Sequence, residues 1–252
     1  MIVPSERELT IVVPAFNEER HVATTLAVVA DAAARNLSDY EIIAVNDGSR
    51  DGTGALMDDA ARSNPRIHVV HQPTNYGVGA AYLAGLEMAR FNAITVVPGD
   101  NAFAAVTLDN VFQAVGTAPL VVSYRENMGV RTPLRRTLSV ICTVLMRLVT
   151  GHAVRDAHSM FVFPVSLART LKIQPGYGYH IESLGRLLVL CRHHVEVPAI
   201  LNPHPDLNSG VMKPRVVFLL GTTMLRLMAW RIARLFGPRP DAVKQASTIA
   251  TK

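Results

Sequence analysis

The first half of the chain alternates between short β-branched runs and longer segments with helical periodicity, and this alternation restricts the possible folds more than any other feature. The runs lie at residues 9–14, 41–45, 67–71, 93–98 and 119–123. After the first run, Val22, Leu26 and Val29 fall on one stripe of a predicted helix. Strand–helix alternation of this length predicts an α/β fold, with a mostly parallel sheet covered by helices on both faces.

Composition narrows the class of protein further. The 252 residues are 49% hydrophobic and 18% charged, which excludes a disordered chain. The two cysteines lie in apolar surroundings, so a disulfide framework is not expected. The first ten residues lack the pattern of a secretory signal. The net charge of +5 comes with two clusters of basic residues, but these lack interleaved aromatic residues, so nucleic acid is not expected as a partner.

Polar residues and glycines follow three of the predicted strands. The first strand is followed by PAFNEE, the second by NDGSRDGT and the fourth by PGDNAF. Ordinary turn chemistry explains any one of these loops, but it explains three at one edge less well. Ligands of parallel sheets bind outside the carboxyl ends of the strands. The sequence therefore predicts a single binding site at this edge.

The segment NYGVGAAYLAG contains a G-x-G pattern after the third strand. Tyr82 occupies the position where a dinucleotide fingerprint has its third glycine, and the segment follows the third strand instead of the first. Nicotinamide dinucleotide binding is therefore not expected.

Three motifs in order, IVVPAFNEE, VNDGSRDGT and NYGVGAAYLAGLEMA, resemble the nucleotide-binding half of family 2 glycosyltransferases, which have the Rossmann-like GT-A fold. Later segments, including RTPLRRTLS and GHAVRDAHSMFVF, resemble the branch that makes polyprenyl- and dolichol-phosphate sugars. The resemblance implies an enzyme that uses a nucleotide sugar, with UDP or GDP as the nucleotide. The residues that it places around this donor are Pro14, Ala15, Asn17, Glu18, Asp47, Gly48, Asn75, Gly77 and Gly79.

The same resemblance predicts a metal-binding D-x-D motif at the end of the fourth strand, but this chain departs from it. Pro98 occupies the first acidic position, Asp100 the second, and Ala102 a following polar position. Mg²⁺ commonly uses only one or two carboxylates together with phosphate oxygens and water. Asp100 is therefore the expected ligand and catalytic anchor of Mg²⁺ or Mn²⁺, with weaker affinity than a complete motif would give.

On the acceptor side, the resemblance assigns a lipid phosphate to Arg135 and Ser139. Arg125 and Arg131 could complete this site, because guanidinium matches phosphate geometry. Arg135 and Ser139 lie one helical turn apart, so they would face the same direction. Lys213, in the segment LNSGVMK, would stabilise the departing diphosphate, although Leu207 stands where the branch has an arginine. A hydroxyl acceptor would need a general base instead, and Asp156 and Glu182 are the candidates. Arg155 could hold Asp156 in an ordinary ion pair.

The sequence divides into a catalytic domain at 1–214, a C-terminal amphipathic helix at 215–236 and a flexible tail at 237–252. The helix carries Arg226, Arg231 and Arg234 on one side and apolar residues on the other, which is typical of a helix that lies in a membrane interface. A segment around 138–149 is a second candidate.

The leading expectation is an inverting glycosyltransferase, peripheral to the membrane at its cytoplasmic face, that transfers a sugar to polyprenyl phosphate. A family 2 enzyme with a hydroxyl acceptor and a non-catalytic scaffold remain as alternatives, and homo-oligomers are possible.

Overall fold

A central sheet of seven strands carries helices on both faces. The computed structural model describes residues 7–171, 173–176, 178–203 and 214–236. The strands are β1 (Glu8–Ala15), β2 (Asp39–Asn46), β3 (Ile67–His71), β4 (Ala93–Val96), β5 (Val121–Arg125), β6 (Phe161–Pro164) and β7 (Val195–Ala199). The helices are α1 (Val22–Asn36), α2 (Thr53–Ser63), α3 (Val78–Met88), α4 (Ala105–Gln113), α5 (Pro133–Thr150), α6 (Val165–Thr170), α7 (Tyr179–Cys191) and α8 (Pro214–Phe236).

The strand order is β3-β2-β1-β4-β6-β5-β7. Strands β1 to β4 run parallel to one another, and β5 is parallel to β7. Only β6 among the described strands is antiparallel to its neighbours, β4 and β5. The predicted mostly parallel sheet is therefore confirmed. The carboxyl ends of β1, β2 and β4 lie side by side at one edge, as the sequence predicted.

Both faces of β1 are buried, which explains its continuous apolar run. Ile11 and Val13 pack with α1, α2 and α4, while Val12 packs on the opposite side with α3, α7 and their neighbours. A strand covered on both faces loses the alternation of a half-exposed strand and becomes apolar throughout. Gly85 of α3 allows this close approach, because a Cβ there would lie 2.6 Å from Val12 Cγ1.

Helix α1 begins at Val22, four residues later than the polar start of the predicted helix at Glu18. The predicted stripe is correct, since Val22 and Leu26 are buried in the core. Residues 16–21 instead form a loop tied to the segment after β2, where Glu18 N donates to Thr53 Oγ1 at 2.8 Å. This loop is therefore longer than predicted, and it lies beside the carboxyl edge of the sheet, where the binding site is expected.

Helix α8 packs against α5 and α7 through Met224 and Leu227, both buried. Gly185 of α7 leaves the space that the Leu227 side chain fills. Within the described ranges, no helix has the length and apolar character needed to span a bilayer. The predicted tail at 237–252 lies outside the described residues.

Candidate active site

The loops after β1 and β2 are joined by side-chain hydrogen bonds at the carboxyl edge of the sheet. Asn17 N donates to Ser49 Oγ at 3.0 Å, and Arg50 N donates to Asn17 Oδ1 at 2.9 Å. Asn17 has a φ of 55°, a left-handed conformation that asparagine tolerates better than most residues. The loop after β4 joins them, because Gly99 N donates to Pro14 O at 3.0 Å. The three predicted loops therefore meet.

Asp47 holds the loop that precedes α3. Its carboxylate accepts hydrogen bonds from Tyr76 N at 2.8 Å and Gly77 N at 2.9 Å, and the residue is buried. Gly48 beside it has a φ of 70°, and a Cβ there would lie 2.4 Å from the Thr74 carbonyl carbon. The structure thus gives Asp47 a positioning role, and a bond to a donor base would be additional to the two present.

The two glycines of the G-x-G pattern have different surroundings. Gly77 has a φ of 89°, and a Cβ there would have no atom within 4 Å. A Cβ at Gly79 would lie 2.8 Å from Gly176 N, so this glycine serves the packing of α3 against the segment before α7. Protein backbone therefore occupies the space beside Gly79, whereas the space beside Gly77 is open, and the contact of both glycines with a donor stays a prediction. Asn75 follows Thr74 in the chain, and its backbone also lies close to Gly48.

A cavity of about 360 Å³ opens at the meeting point of the loops. The residues that line it include Asn17, Glu18, Asp51, Asp100, Arg131, Arg135 and Asn202. Acidic and amide groups come from the sheet edge, and the two arginines come from the segment around the start of α5. The cavity therefore offers carboxylate on one side and guanidinium on the other.

Asp100 is held at the cavity by a tightly fixed loop. Its Oδ1 accepts a hydrogen bond from Ala102 N at 3.1 Å, and Asn101 takes a φ of 55°. Asn202 Nδ2 donates to Asn101 O at 2.8 Å and to Phe103 O at 3.2 Å. Within the described residues, no cluster of three or more acidic, histidine or cysteine side chains has the arrangement of a metal site. The donor set fits a cation that takes one protein carboxylate and obtains its other oxygens from diphosphate and water.

Arg131 and Arg135 concentrate positive charge opposite Asp100. Burial, together with the nearby charges of Arg125 and Arg135, lowers the pKa of Arg131 to about 10. The carboxylates of Asp156 and Asp100 act in the opposite direction and favour the charged form. Arg131 is therefore still protonated at neutral pH, in a site where an additional anion would relieve repulsion between guanidinium groups.

Arg125 and Asp156 form a buried ion pair beneath this site. Arg125 Nη2 lies 2.7 Å from Asp156 Oδ1, and Nε lies 2.5 Å from Oδ2. Burial raises the pKa of Asp156, but the bonds and charge of Arg125 outweigh it and hold the pKa below its usual value. Arg155 is not the partner, since it lies over the Tyr124 ring, 4.2 Å from its centroid, beside Glu196. Arg125 was predicted to contact a phosphate directly. In the structure, its guanidinium group pairs with Asp156 and also contacts Ser139.

Ser139 lies next to this ion pair. Arg125 Nη2 donates to Ser139 Oγ at 2.8 Å, and His158 Nδ1 lies 3.4 Å from the same oxygen. Burial, followed by the positive charge of Arg125, lowers the pKa of His158, so its ring is neutral at pH 7. Arg125 uses one lone pair of the serine oxygen, so the serine hydroxyl keeps its hydrogen for donation to another acceptor.

A second cavity, of about 210 Å³, lies between α5 and α8. Its lining is mainly apolar and includes Leu138, Ile141, Leu145, Leu220 and Met224, together with Ser139, Arg131 and Arg135. The two arginines thus line both cavities. Arg131, Arg135 and Ser139, predicted together, are found together at this junction.

Glu182, predicted as a catalytic residue, lines neither of the two cavities. The Glu182 carboxylate on α7 pairs with Arg186 and lies 3.5 Å from Arg226 of α8. Glu182 is 1% exposed, so its carboxylate has no access to a substrate. Lys213 lies outside the described residues, as does Leu207.

Asp51 and Asn202 line the larger of the two cavities and were not predicted from the sequence. Burial raises the pKa of Asp51, but hydrogen bonds from Thr53 and Glu19 together outweigh it and hold the pKa below its usual value. Asn202 comes three residues after β7, which runs parallel to β5. The rule that ligands meet the carboxyl ends of strands would have found it, had the segment at 195–199 been assigned as a strand.

Comparisons with known proteins agree with this architecture. The family model for glycosyl transferase family 2 matches residues 10–171. An undecaprenyl-phosphate mannosyltransferase of Micrococcus luteus is 27% identical over 239 residues, which cover 90% of this chain and 95% of that protein. A polyprenol monophosphomannose synthase of Mycolicibacterium smegmatis is 33% identical over 162 residues, which cover 61% of this chain and 59% of that protein. The chain therefore spans nearly all of the first relative and just over half of the second.

Solved structures show the same fold. Glucosyl-3-phosphoglycerate synthase from Mycobacterium tuberculosis, crystallised with Mg²⁺ and UDP, superimposes with a TM-score of 0.64. The match covers 88% of this chain and 80% of that protein at 17% identity. At this identity the likeness establishes the fold alone, and the predicted GT-A fold is confirmed. Because the family model matches more than half of its length, the chain belongs to glycosyl transferase family 2.

Proposed function

We propose that this protein transfers a sugar from a nucleoside diphosphate sugar to a polyprenyl phosphate, with inversion at the anomeric carbon. One observation carries the proposal. A polar cavity at the sheet edge and an apolar cavity between α5 and α8 share Arg131 and Arg135. A polar donor and a lipid acceptor would therefore bring their phosphates to the same pair of guanidinium groups.

The donor occupies the larger cavity in this proposal. The nucleoside lies over the loops after β1 and β2, near Asn17 and Gly77, and the diphosphate lies toward Asp100. Asp100 would hold Mg²⁺ or Mn²⁺, which supplies positive charge that stabilises the departing diphosphate. The neighbouring synthase structures contain Mn²⁺ or Mg²⁺ with UDP, which supports a divalent cation here.

The acceptor phosphate lies at the junction of the cavities. Guanidinium groups of Arg131 and Arg135 match phosphate geometry, and the Ser139 hydroxyl can donate to a phosphate oxygen. The prenyl chain would follow the apolar cavity along Leu138 and Met224. One relative reported above is named an undecaprenyl-phosphate mannosyltransferase and the other a polyprenol monophosphomannose synthase, which supports this class of acceptor.

The chemistry needs no strong base. A phosphate oxygen of the acceptor forms a bond to the anomeric carbon as the bond to the diphosphate oxygen breaks, and that electron pair leaves with the nucleoside diphosphate. The acceptor oxygen is already ionised at neutral pH, so no proton has to be removed. The protein contributes positioning and charge.

Neither carboxylate that was predicted as a base for a hydroxyl acceptor is available for that role, which favours a phosphate acceptor. Asp156 is engaged by Arg125, and Glu182 is engaged by Arg186 and Arg226. A base must reach the proton that it abstracts. Both groups are buried in ion pairs, which disfavours the hydroxyl alternative.

The outer surface of α5 supports a position at the membrane. Ile141 and Leu145 line the apolar cavity and are also 49% and 41% exposed, so the cavity opens onto this surface. Val144 and Leu148 are also exposed and continue the apolar surface. We propose that this face lies on the bilayer that contains the acceptor, so that the lipid enters the cavity sideways.

The proposal is tested by incubating the purified protein with radiolabelled UDP- and GDP-sugars, Mn²⁺ and undecaprenyl phosphate in detergent, and measuring label that becomes extractable into organic solvent. Arg135→Ala removes a charge-assisted hydrogen bond and is expected to reduce product formation about 10- to 100-fold. Arg136→Ala is the matched control, since this exposed arginine lines neither cavity, and is expected to stay within about twofold.

Product that forms equally well with both variants would contradict the acceptor site. Transfer only to acceptors that carry a hydroxyl would contradict the acceptor class. If calorimetry detects no binding of any nucleotide sugar, the protein is a scaffold and the proposed function is wrong.

A further inference from the structure

A chain of side-chain hydrogen bonds connects the surface of α2 to the larger cavity. Asp58 Oδ1 on α2 lies 3.1 Å from His71 Nε2 at the end of β3. His71 Nδ1 lies 3.0 Å from Asn46 Nδ2 at the end of β2. Asn46 Oδ1 accepts from Ser49 N at 3.0 Å, and Ser49 Oγ accepts from Asn17 N at 3.0 Å. The chain ends at a residue that lines the cavity.

The chemistry of these groups fixes the state of His71. Asn46 must turn its oxygen toward the Ser49 amide, so its NH₂ group faces His71. His71 Nδ1 therefore has to accept, and Nε2 carries the hydrogen that it donates to the Asp58 carboxylate. Only the neutral imidazole with its hydrogen on Nε2 satisfies both neighbours.

The backbone is shaped to admit this arrangement. Asn46 and His71 are direct partners in the parallel pairing of β2 with β3. Gly54, in the first turn of α2, faces both side chains, since a Cβ there would lie 2.8 Å from Asn46 Nδ2 and 3.4 Å from His71 Cε1. A side chain at position 54 would displace the amide of Asn46.

The bonds act on a loop whose backbone is under strain. Asn17 and Gly48 both have positive φ, and a left-handed conformation at a residue other than glycine is unfavourable unless neighbouring contacts hold it. Asn46 supplies such a contact through Ser49, on the segment that turns at Gly48. Losing the His71 bond would free the Asn46 amide to rotate.

We infer that His71, oriented by Asp58, is a positioning residue that sets the shape of the donor-binding loops through Asn46. This inference rests on the proposed function, in which the larger cavity receives the nucleotide sugar. His71 itself contacts no substrate.

The test compares three substitutions by isothermal titration calorimetry with UDP- and GDP-sugars and by steady-state kinetics. His71→Phe and His71→Gln both remove the acceptor at the Nδ1 position, and each is expected to raise KM for the donor about fivefold with little change in kcat. His71→Asn keeps an acceptor oxygen near that position and is expected to stay closer to the wild-type KM. His68→Phe, on the same strand, is the matched control and is expected to leave KM unchanged.

A His71→Phe protein that binds donor as tightly as wild type would overturn the inference. So would equal weakening by His68→Phe, or equal weakening by all three His71 variants, because either would indicate a general loss of strand stability.

Two structural readouts separate this inference from the proposed function. In a ¹⁵N-edited spectrum, His71 is expected as the neutral tautomer with hydrogen on Nε2, and amide exchange at Ser49 is expected to quicken in His71→Phe. If these hold while wild type binds no nucleotide sugar, the proposed function fails and the hydrogen-bonded chain stands. If His71 shows the other tautomer, or exchange at Ser49 is unchanged, the inference fails whatever the donor.

Discussion

Arg125 and Asp156 carry opposite charges in a part of the protein from which water is almost absent. The exposed fractions of their side chains are 1% and 8%. Desolvating two charges is costly, and the cost is offset only while both partners are present and well aligned. The pair also fixes Ser139 by the bond from Arg125 Nη2. The pair therefore provides a rigid support for Ser139, where we propose that the acceptor phosphate binds.

Removing one partner of this pair should be severe. Asp156→Ala would leave Arg125 buried without a counter-charge and near Arg131, and we expect the free energy of unfolding to fall by about 3–5 kcal/mol. Arg125→Leu combined with Asp156→Leu should cost less than Asp156→Ala alone, because no unpaired charge remains. Urea denaturation measures both.

The control for this prediction is Glu196→Ala, which removes the counter-charge of an arginine whose side chain is 60% exposed. Exposed pairs contribute about 0–1 kcal/mol. Equal losses in Asp156→Ala and Glu196→Ala would show that the buried pair has no special structural role.

Among the elements, α5 has two sides of different character. Its inner side carries Ser139, Cys142 and Met146, which are buried, and its outer side carries Val144 and Leu148, which are exposed. A water-exposed helix normally has a polar outer face. The apolar outer face, with the cavity opening beside it, is what a helix at a lipid surface requires.

Leu148→Glu should therefore weaken binding to vesicles that contain anionic phospholipid by tenfold or more, since burying a leucine side chain contributes about 1.5–3 kcal/mol. Donor binding in solution should be unchanged. Vesicle cosedimentation measures the first and calorimetry the second. Val106→Glu alters an exposed valine on α4, away from this face, and should have no effect on cosedimentation. Equal loss in both variants, or none in Leu148→Glu, would contradict the docking face.

The elements also differ in how far the sequence predicts them. Strands β1 to β5 have apolar β-branched runs, and all five were predicted, with ends that moved by at most two residues. β6 has only four residues and β7 is half-buried, so neither stands out from the surrounding apolar sequence. Helices α6 and α7 lie next to them and were likewise not assigned.

At the scale of the whole molecule, the sheet edge was predictable because parallel topology places strand ends together. The partners of individual side chains were harder to predict from the sequence. Arg125 and Asp156 are 31 residues apart, and Arg155 was the nearer candidate until the antiparallel β6 brought the two segments together. Asp47 also accepts hydrogen bonds from the loop before α3, and Gly79 also allows close approach of the backbone at Gly176, in addition to the donor contacts predicted for both. Long-range pairing of this kind leaves no periodicity in the sequence.

In the proposed function, a donor half built on the sheet edge and a lipid half built on α5 and α8 are joined at Arg131 and Arg135. The arginine pair is the part on which both halves depend. Neither cavity alone would distinguish a sugar transferase from a protein that only binds nucleotides or lipids.

The most direct measurement is an experimental structure of the protein with Mn²⁺, a nucleoside diphosphate and geranyl phosphate, a short and water-soluble prenyl phosphate. We predict that the geranyl phosphate group contacts Arg131, Arg135 and Ser139, with the prenyl chain between α5 and α8 and the diphosphate beside Asp100. A prenyl phosphate bound away from the two arginines, or a diphosphate remote from Asp100, would contradict this account.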